Sequence, residues 1–397
     1  MSPPWWATSL TRCGGTASPS RCPRRWPMPD YVLYDVEVGV CSPLHIGSGE
    51  TLLQGYDFVT HAGRTWRLNL EALLLEKAED PAVARQLATL PPGSLLSPAD
   101  LRQGSPLFRY VMPGVPRSSE TNAQVLEQIK DVWDRPYLPG SSLKGALRTA
   151  LLWHALKAQG RSVDPRELVP NPKRAAQPLE RQVLGADPNH DLLRALHVAD
   201  SEPLEPGKLM LVNAKVIAGE MAGSPIELEA IQAGVVVHTQ VKVDRALFSR
   251  WAQQRGLDLS AGEAWLRELP AIVAQFSQER LQQGLAWCGT LASRLKLAGF
   301  YRDQLAGQGG NVCHLQVGWG GGWDSKTIGL LLQERPDTLE EVIRIYRLHR
   351  GRPRRPGQRF PTTRRIAMRR EVGPAQQARE VMVAPLGWVR LAFQRRG

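Results

Sequence analysis

Four stretches of this 397-residue chain gather glycine, serine and cations at spacings that suit an anion. The first is "LHIGSGE", Leu44–Glu50. Gly47 and Gly49 let the backbone take positive φ and come near a ligand, and Ser48 adds a hydroxyl. His45 stands where a general base could act, but the sequence places no second His, Tyr or Lys partner beside it. The second is "PGSSLKGALR", Pro139–Arg148. Gly140 ends an extended piece, Ser141 or Ser142 is the expected helix cap, and Lys144 and Arg148 lie one turn apart on one face. First-turn N–H groups beside those cations would make an anion site. It is not a nucleotide P-loop, which needs its lysine after the second glycine.

The third stretch is "VGWGGGWDSKTIG", Val317–Gly329. Gly318, Gly320, Gly321 and Gly322 alternate with Trp319 and Trp323, and Lys326 follows. Glycines admit a sugar-phosphate chain, and a tryptophan face stacks on a base for about 1–3 kcal/mol. The plain alternative is a turn whose tryptophans belong to the core. The fourth, "RLHRGRPRRPGQRFPTTRRIAMRR", holds Arg364 and Arg365. Its prolines and glycines exclude a continuous helix, so an irregular basic arm that tracks phosphates is expected.

The elements that must position these stretches are written in the periodicity. Val32, Tyr34, Val36, Val38 and Val40 alternate through the first strand. A strand pair follows over "YDFVTHAGRTWRLN", turning at Ala62-Gly63, and Asn69 caps the helix of "NLEALLLEKAED". Residues 80–135 are loosely patterned and expected to project as an insertion. A helix over about 142–159 comes next. Strands are expected in "LRALHVAD", "KLMLVNAKVI" and "PIELEAIQAGVVVHTQVKV", helices in "RALFSRWAQQRG" and "AGEAWLRELPAIVAQFSQERLQQGLAWCG", and a strand in "CHLQVGW". This order indicates an α+β fold with antiparallel sheets, for which tandem ferredoxin-like (RRM-like) β-α-β-β-α-β units are the simplest architecture. The expected domains are 28–200, carrying the insertion, and 201–397, ending in a basic segment at 344–370. Residues 1–27 lack periodicity and an apolar signal region, and are expected to be a disordered leader or a start assigned upstream of Met28.

Composition narrows the function. Hydrophobic residues make up 42% and charged residues 22%, a globular balance. No apolar run approaches the roughly 18 residues of a membrane span. Five cysteines without CxxC spacing argue against a disulfide framework or zinc ribbon and fit a reducing cytoplasm. Of the net charge of +12, residues 1–27 contribute +4 and residues 344–370 contribute +11, leaving the rest slightly acidic. Charge concentrated this way points to a polyanion. The histidines form no HExxH, and GxSxG is absent. Asp187, Asp191 and Asp200 could hold a cation, but solvated acids in a capped turn explain them better. No metal, cofactor or catalytic residue is expected.

"LHIGSGE", "PYLPGSSLKGALRTAL", "LLRALHVADSEP", "VGWGGGWDSKT", "FPTTRR" and "PLGWVRL" occur in that order across residues 41–391. Together they resemble the RAMP superfamily of type III CRISPR effectors. Most closely they resemble the type III-A Csm-complex subunit counted fifth, which caps the end holding the 3′ part of the guide RNA. The resemblance implies a pair of RRM-like domains that bind crRNA, assist its 3′-end maturation and do not cleave it. It implies as partners the backbone RAMP subunit, the small helical subunit, host trimming nucleases and, indirectly, target RNA; no membrane is implied. It assigns RNA contact to His45, Gly47, Ser48, Gly49, Ser141, Ser142, Lys144, Arg148, Gly320, Gly321, Lys326 and Arg364. Gly140, Gly318, Trp319, Gly322 and Arg365 join that candidate set as motif neighbours. The alternatives are a Cas6-like crRNA endonuclease with His45 as base and the backbone RAMP subunit that cuts target RNA.

Overall fold

Chain order places β1 at Tyr31–Val40, β2 at Gly47–Leu53, β3 at Phe58–His61, β4 at Arg64–Leu68, α1 at Leu70–Lys77, α2 at Pro81–Leu87, β5 at Phe108–Pro113 and β6 at Gln124–Gln128. Then come α3 at Gly140–Ala158, α4 at Gln177–Leu184, β7 at Leu196–Val198, β8 at Leu209–Ala218, β9 at Met221–Ile231 and β10 at Val236–Asp244. The last third holds α5 at Arg250–Gln253, α6 at Glu263–Arg267, α7 at Leu269–Cys288, α8 at Leu295–Ala306 and β11 at Val312–Gln316. It continues with α9 at Gly322–Lys326, α10 at Gly329–Gln333, α11 at Pro336–Ile345, β12 at Thr363–Val372, β13 at Ala378–Pro385 and β14 at Trp388–Arg396. This computed structural model describes residues 30–77, 81–87, 89–117, 123–218, 221–289, 292–349, 360–372 and 378–396. The expected leader at 1–27 and most of the arginine run between 350 and 359 lie outside the described residues.

Three sheets organise the fold. The first has the order β11-β14-β1-β10-β7 and is antiparallel throughout. Its apolar face follows from alternation: Val36, Val38 and Val40 of β1 share one core cluster with Leu143, Leu147 and Leu151 of α3, Val241 of β10 and Phe276 of α7. Following β1, α3, β7, β10, α7 and β14 traces one β-α-β-β-α-β unit, in which the final strand returns beside the first. The second sheet has the order β13-β12-β8-β9-β6-β2, antiparallel except for β6 beside β9. A third joins β3, β4 and β5.

Several expectations hold. The β3–β4 hairpin turns at Ala62 and Gly63, both at positive φ, and the Asn69 side chain accepts the Ala72 N–H. Others change. The expected boundary at residue 200 runs through both large sheets, because β1 pairs with β10 and β14, and β6 with β9. Tyr31–Gly397 is one unit. Residues 80–135 do not simply project: β5 completes the small sheet and β6 lies inside the six-stranded one. The described end of the expected irregular arm, from Thr363, is strand β12. Thr363–Met368 pairs with Ala218–Asn213, so Arg364 and Arg365 sit on a strand whose Ile366 and Ala367 are buried. Pairing across the chain outweighs the disorder that a run of arginines signals on its own.

Candidate nucleic-acid interface

At the start of α3, local chemistry is spent on the protein itself. The helix begins at Gly140 with Pro139 as its cap residue, so the cap residue itself offers no side-chain acceptor, and the expected Ser141 or Ser142 cap is absent. The Gly140 N–H donates to Asp200 Oδ1 at 2.7 Å, and the N–H groups of Ser142 and Leu143 donate to the Pro139 carbonyl. A carboxylate therefore already occupies the positive end of the helix, as the dipole favours. Gly140 is buried because a Cβ there would lie 2.3 Å from the Val198 carbonyl oxygen. Gly140 thus seats the helix against the end of β7.

The cations of this motif part company. Arg148 donates to Asp191 at 2.7 Å and to Glu180 at 3.0 Å, so it is a clamp between α3 and the following segment rather than a waiting phosphate ligand. The Lys144 side chain makes no hydrogen bond or ion pair with any described residue. Partial burial, with the Arg148 charge nearby, holds its ammonium below the usual lysine value despite Asp191. The acids once considered for a cation are engaged as well. Asp187 accepts from Asn189 and His190, Asp191 from Leu193, and Asp200 from Gly140. Among the described residues no acid, histidine and cysteine cluster suits a metal.

The His45 and Trp319 loops do meet. The Trp319 N–H donates to the His45 carbonyl at 2.9 Å, and the two rings pack edge to face at 6.4 Å. His45 is 2% exposed, and its Nδ1 is 2.6 Å from the Glu229 carbonyl. Donation from Nδ1 leaves Nε2 bare against Gly47, and burial holds the imidazole below its ordinary value. Gly47, Ser48 and Gly49 are exposed on β2, where Gly49 takes φ +102° and Ser48 donates to Glu127.

Most of the glycine string answers to packing. A Cβ on Gly318 would fall 2.3 Å from the His45 carbonyl oxygen, and one on Gly320 would fall 2.4 Å from that of Leu386. Gly321 is buried against Ser325, and Gly322 takes φ +61°. Trp323 belongs to the core, as the plain alternative held: its ring lies 4.9 Å from Phe360 and against Gly329. Trp319 is half-buried, with the Arg365 guanidinium 4.5 Å from its ring and donating to its carbonyl. Arg364 is not a free phosphate contact; it pairs with Asp324 at 2.7 Å. Lys326 ends α9 exposed, without a hydrogen bond or ion pair to any described residue, and desolvation beside Arg365 lowers its ammonium.

Two buried networks were missed from sequence. Glu229, fully buried, accepts from Tyr110 at 2.6 Å, Lys130 at 2.7 Å and the Gln128 N–H at 3.0 Å. Arg280, 5% exposed along its side chain, faces Asp324 at 3.5 Å and donates to Ser325. For the first the sequence misleads: in "IELEAI" Glu227 and Glu229 alternate with apolar residues as a solvent-facing row would, yet both are buried. For the second, Arg280 inside the long helix α7 was the only trace.

Comparison with known proteins follows this geometry. The profile of the RAMP superfamily matches residues 38–290. Part of the chain is 34% identical over 107 residues to the CRISPR system Cms protein Csm5 of Streptococcus thermophilus, covering 24% of this chain and 27% of that protein. Another alignment, to the protein of that name from Mycobacterium tuberculosis, is 29% identical over 166 residues and covers 38% and 42%. The chain thus spans less than half the length of these curated relatives in the matched regions. The crystal structure of T. onnurineus Csm5 superposes with a TM-score of 0.65 at 24% identity, over 89% of this chain and 99% of that one. A chain in the cryo-EM structure of a type III-A Csm-crRNA-target RNA ternary complex superposes at 0.64 and 24%, over 91% and 100%. At that identity the likeness speaks for the fold.

Proposed function

The chain belongs to the RAMP superfamily, and we propose that within it this protein is the crRNA-binding capping subunit of a type III-A effector ribonucleoprotein. In this role it grips the 3′ part of the guide, packs against the backbone RAMP subunit and the small helical subunit, supports 3′-end trimming by host nucleases, and leaves the RNA uncut. The relatives carrying the name Csm5 and the same-fold chain in the Csm-crRNA-target RNA complex support that reading.

One observation carries it on this chain's own residues. The Lys144 and Lys326 side chains make no hydrogen bond or ion pair with any described residue, while Arg148 and Arg364 are paired internally. An ammonium with no ion pair in the fold is available to donate to a phosphate. The half-buried Trp319, with Arg365 over its ring, packs on His45 just before the exposed Gly47–Gly49 segment, and these supply ring and backbone surface for the strand. His45 serves as a structural bridge between the loops, and its burial at 2% exposure weighs against an endonuclease base that must reach RNA.

The test is fluorescence anisotropy of a labelled guide RNA against salt. Lys144→Glu/Lys326→Glu is expected to weaken binding at least tenfold and to flatten the log–log salt slope by about 1.4, roughly 0.7 for each lost single-strand phosphate contact. The RNA should be recovered intact. An unchanged slope refutes the assignment of these lysines.

A further inference from the structure

The turn between β6 and α3 presents two apolar side chains to solvent: Val132 is 83% exposed and Trp133 70%. The turn is tightly built. The Asp131 carboxylate accepts the N–H groups of Trp133 and Arg135, both at 2.9 Å, and Arg135 Nε at 2.8 Å. Asp134 sits at φ +62° and is held by Arg109 through two bonds of 2.7 Å. The Arg135 guanidinium lies 4.9 Å from the centre of the Trp133 ring and covers one face. Nothing in the fold requires an exposed valine and tryptophan at the tip of so braced a turn.

We infer that Val132 and Trp133 form a preorganised anchor that inserts into an apolar pocket on another protein subunit of the assembly. Charge selects a protein over RNA as the occupant. Each charged group of the turn is compensated within the chain: Asp131 by Arg135, Asp134 by Arg109, and Lys130 by Glu229 and Glu127. The tip therefore offers no net charge to a polyanion. Val132, the more exposed of the two, cannot stack on a base but adds apolar area to a pocket contact. A buried aromatic on a rigid support is the usual form of an interface hot spot, because little ordering remains to be done on binding. The inference rests on the reading of this chain as a subunit of a ribonucleoprotein.

The experiment compares wild type with Val132→Ser/Trp133→Ala, each co-expressed as the full chain with the other protein subunits of its effector complex. Native mass spectrometry reads occupancy of this chain in the purified complex. Guide-RNA anisotropy and thermal unfolding are read on the free chain. Occupancy is expected to fall about tenfold at limiting subunit concentration, with RNA affinity and unfolding temperature unchanged. Unaltered occupancy overturns the inference. So does a loss confined to RNA affinity, which makes Trp133 a base platform, or loss of a wild-type dimer in sedimentation, which makes the occupant a second copy. Failure of the wild-type chain to bind guide RNA refutes the parent reading instead.

Discussion

The start of α3 and the glycine-rich loop share glycine, serine and lysine, and each is engaged by arginine, from α3 itself in one case and from α7 and β12 in the other, but at different depths. At α3 the committed cation, Arg148, is clamped near the surface, with its side chain 31% exposed and its partners Glu180 and Asp191 at 35% and 15%. At the loop, Asp324 is 3% exposed between Arg364 at 13% and Arg280 at 5%. The loop is therefore part of the core's electrostatics, whereas the α3 clamp is peripheral. In both regions a single lysine is left over. Similar motifs can thus hide different internal roles while presenting the same unspent charge.

The comparison is most easily broken at Asp324. Asp324→Ala strands buried Arg280 and partly buried Arg364 and is expected to cost about 3–5 kcal/mol in urea unfolding. Arg148→Ala removes a clamp open to water and should cost about 1 kcal/mol or less. Equal losses would erase the distinction in depth.

Acid should also strike the loop side first. Burial holds His314, on the strand entering the loop, down to about 4 from an ordinary 6.5, and Arg390 adds to the effect. The unfolded chain takes up this proton first, so stability is intact above pH 6.5 and falls as pH drops toward about 4. The contribution is about 2–3 kcal/mol. His314→Gln should flatten the dependence, so that its stability relative to wild type improves on acidification. A difference independent of pH across that window would show that His314 does not titrate as described.

Two glycines sharpen the contrast further. Gly320→Ala forces a methyl against the Leu386 carbonyl and should destabilise by about 1–3 kcal/mol. Gly145→Ala, on the exposed face of α3 with open space around it, should stabilise by about 0.5–1 kcal/mol. Thermal unfolding of both separates them; destabilisation by Gly145→Ala would mean that the face is not open.

Much of the fold was legible locally. The alternation from Val32 to Val40, the Ala62-Gly63 turn and the apolar faces of α3 and α7 all rest on neighbours within a few residues, which is the range over which periodicity reports. The C-terminal strands were not legible, because arginine-rich Thr363–Val372 becomes a strand only when β8 and β13 supply its hydrogen bonds. The candidate site divides the same way. That His45 and Trp319 each lie among glycines was readable; that their loops meet was not.

By itself the sequence determined which groups were available: small residues at the loops, cations beside them, and a nearly neutral body apart from its basic ends. Tertiary structure decided which of those groups are already satisfied. The reason is distance along the chain. Asp200 reaches Gly140 across 60 residues and Asp191 reaches Arg148 across 43, and no local pattern records that a counter-charge so far away will arrive first.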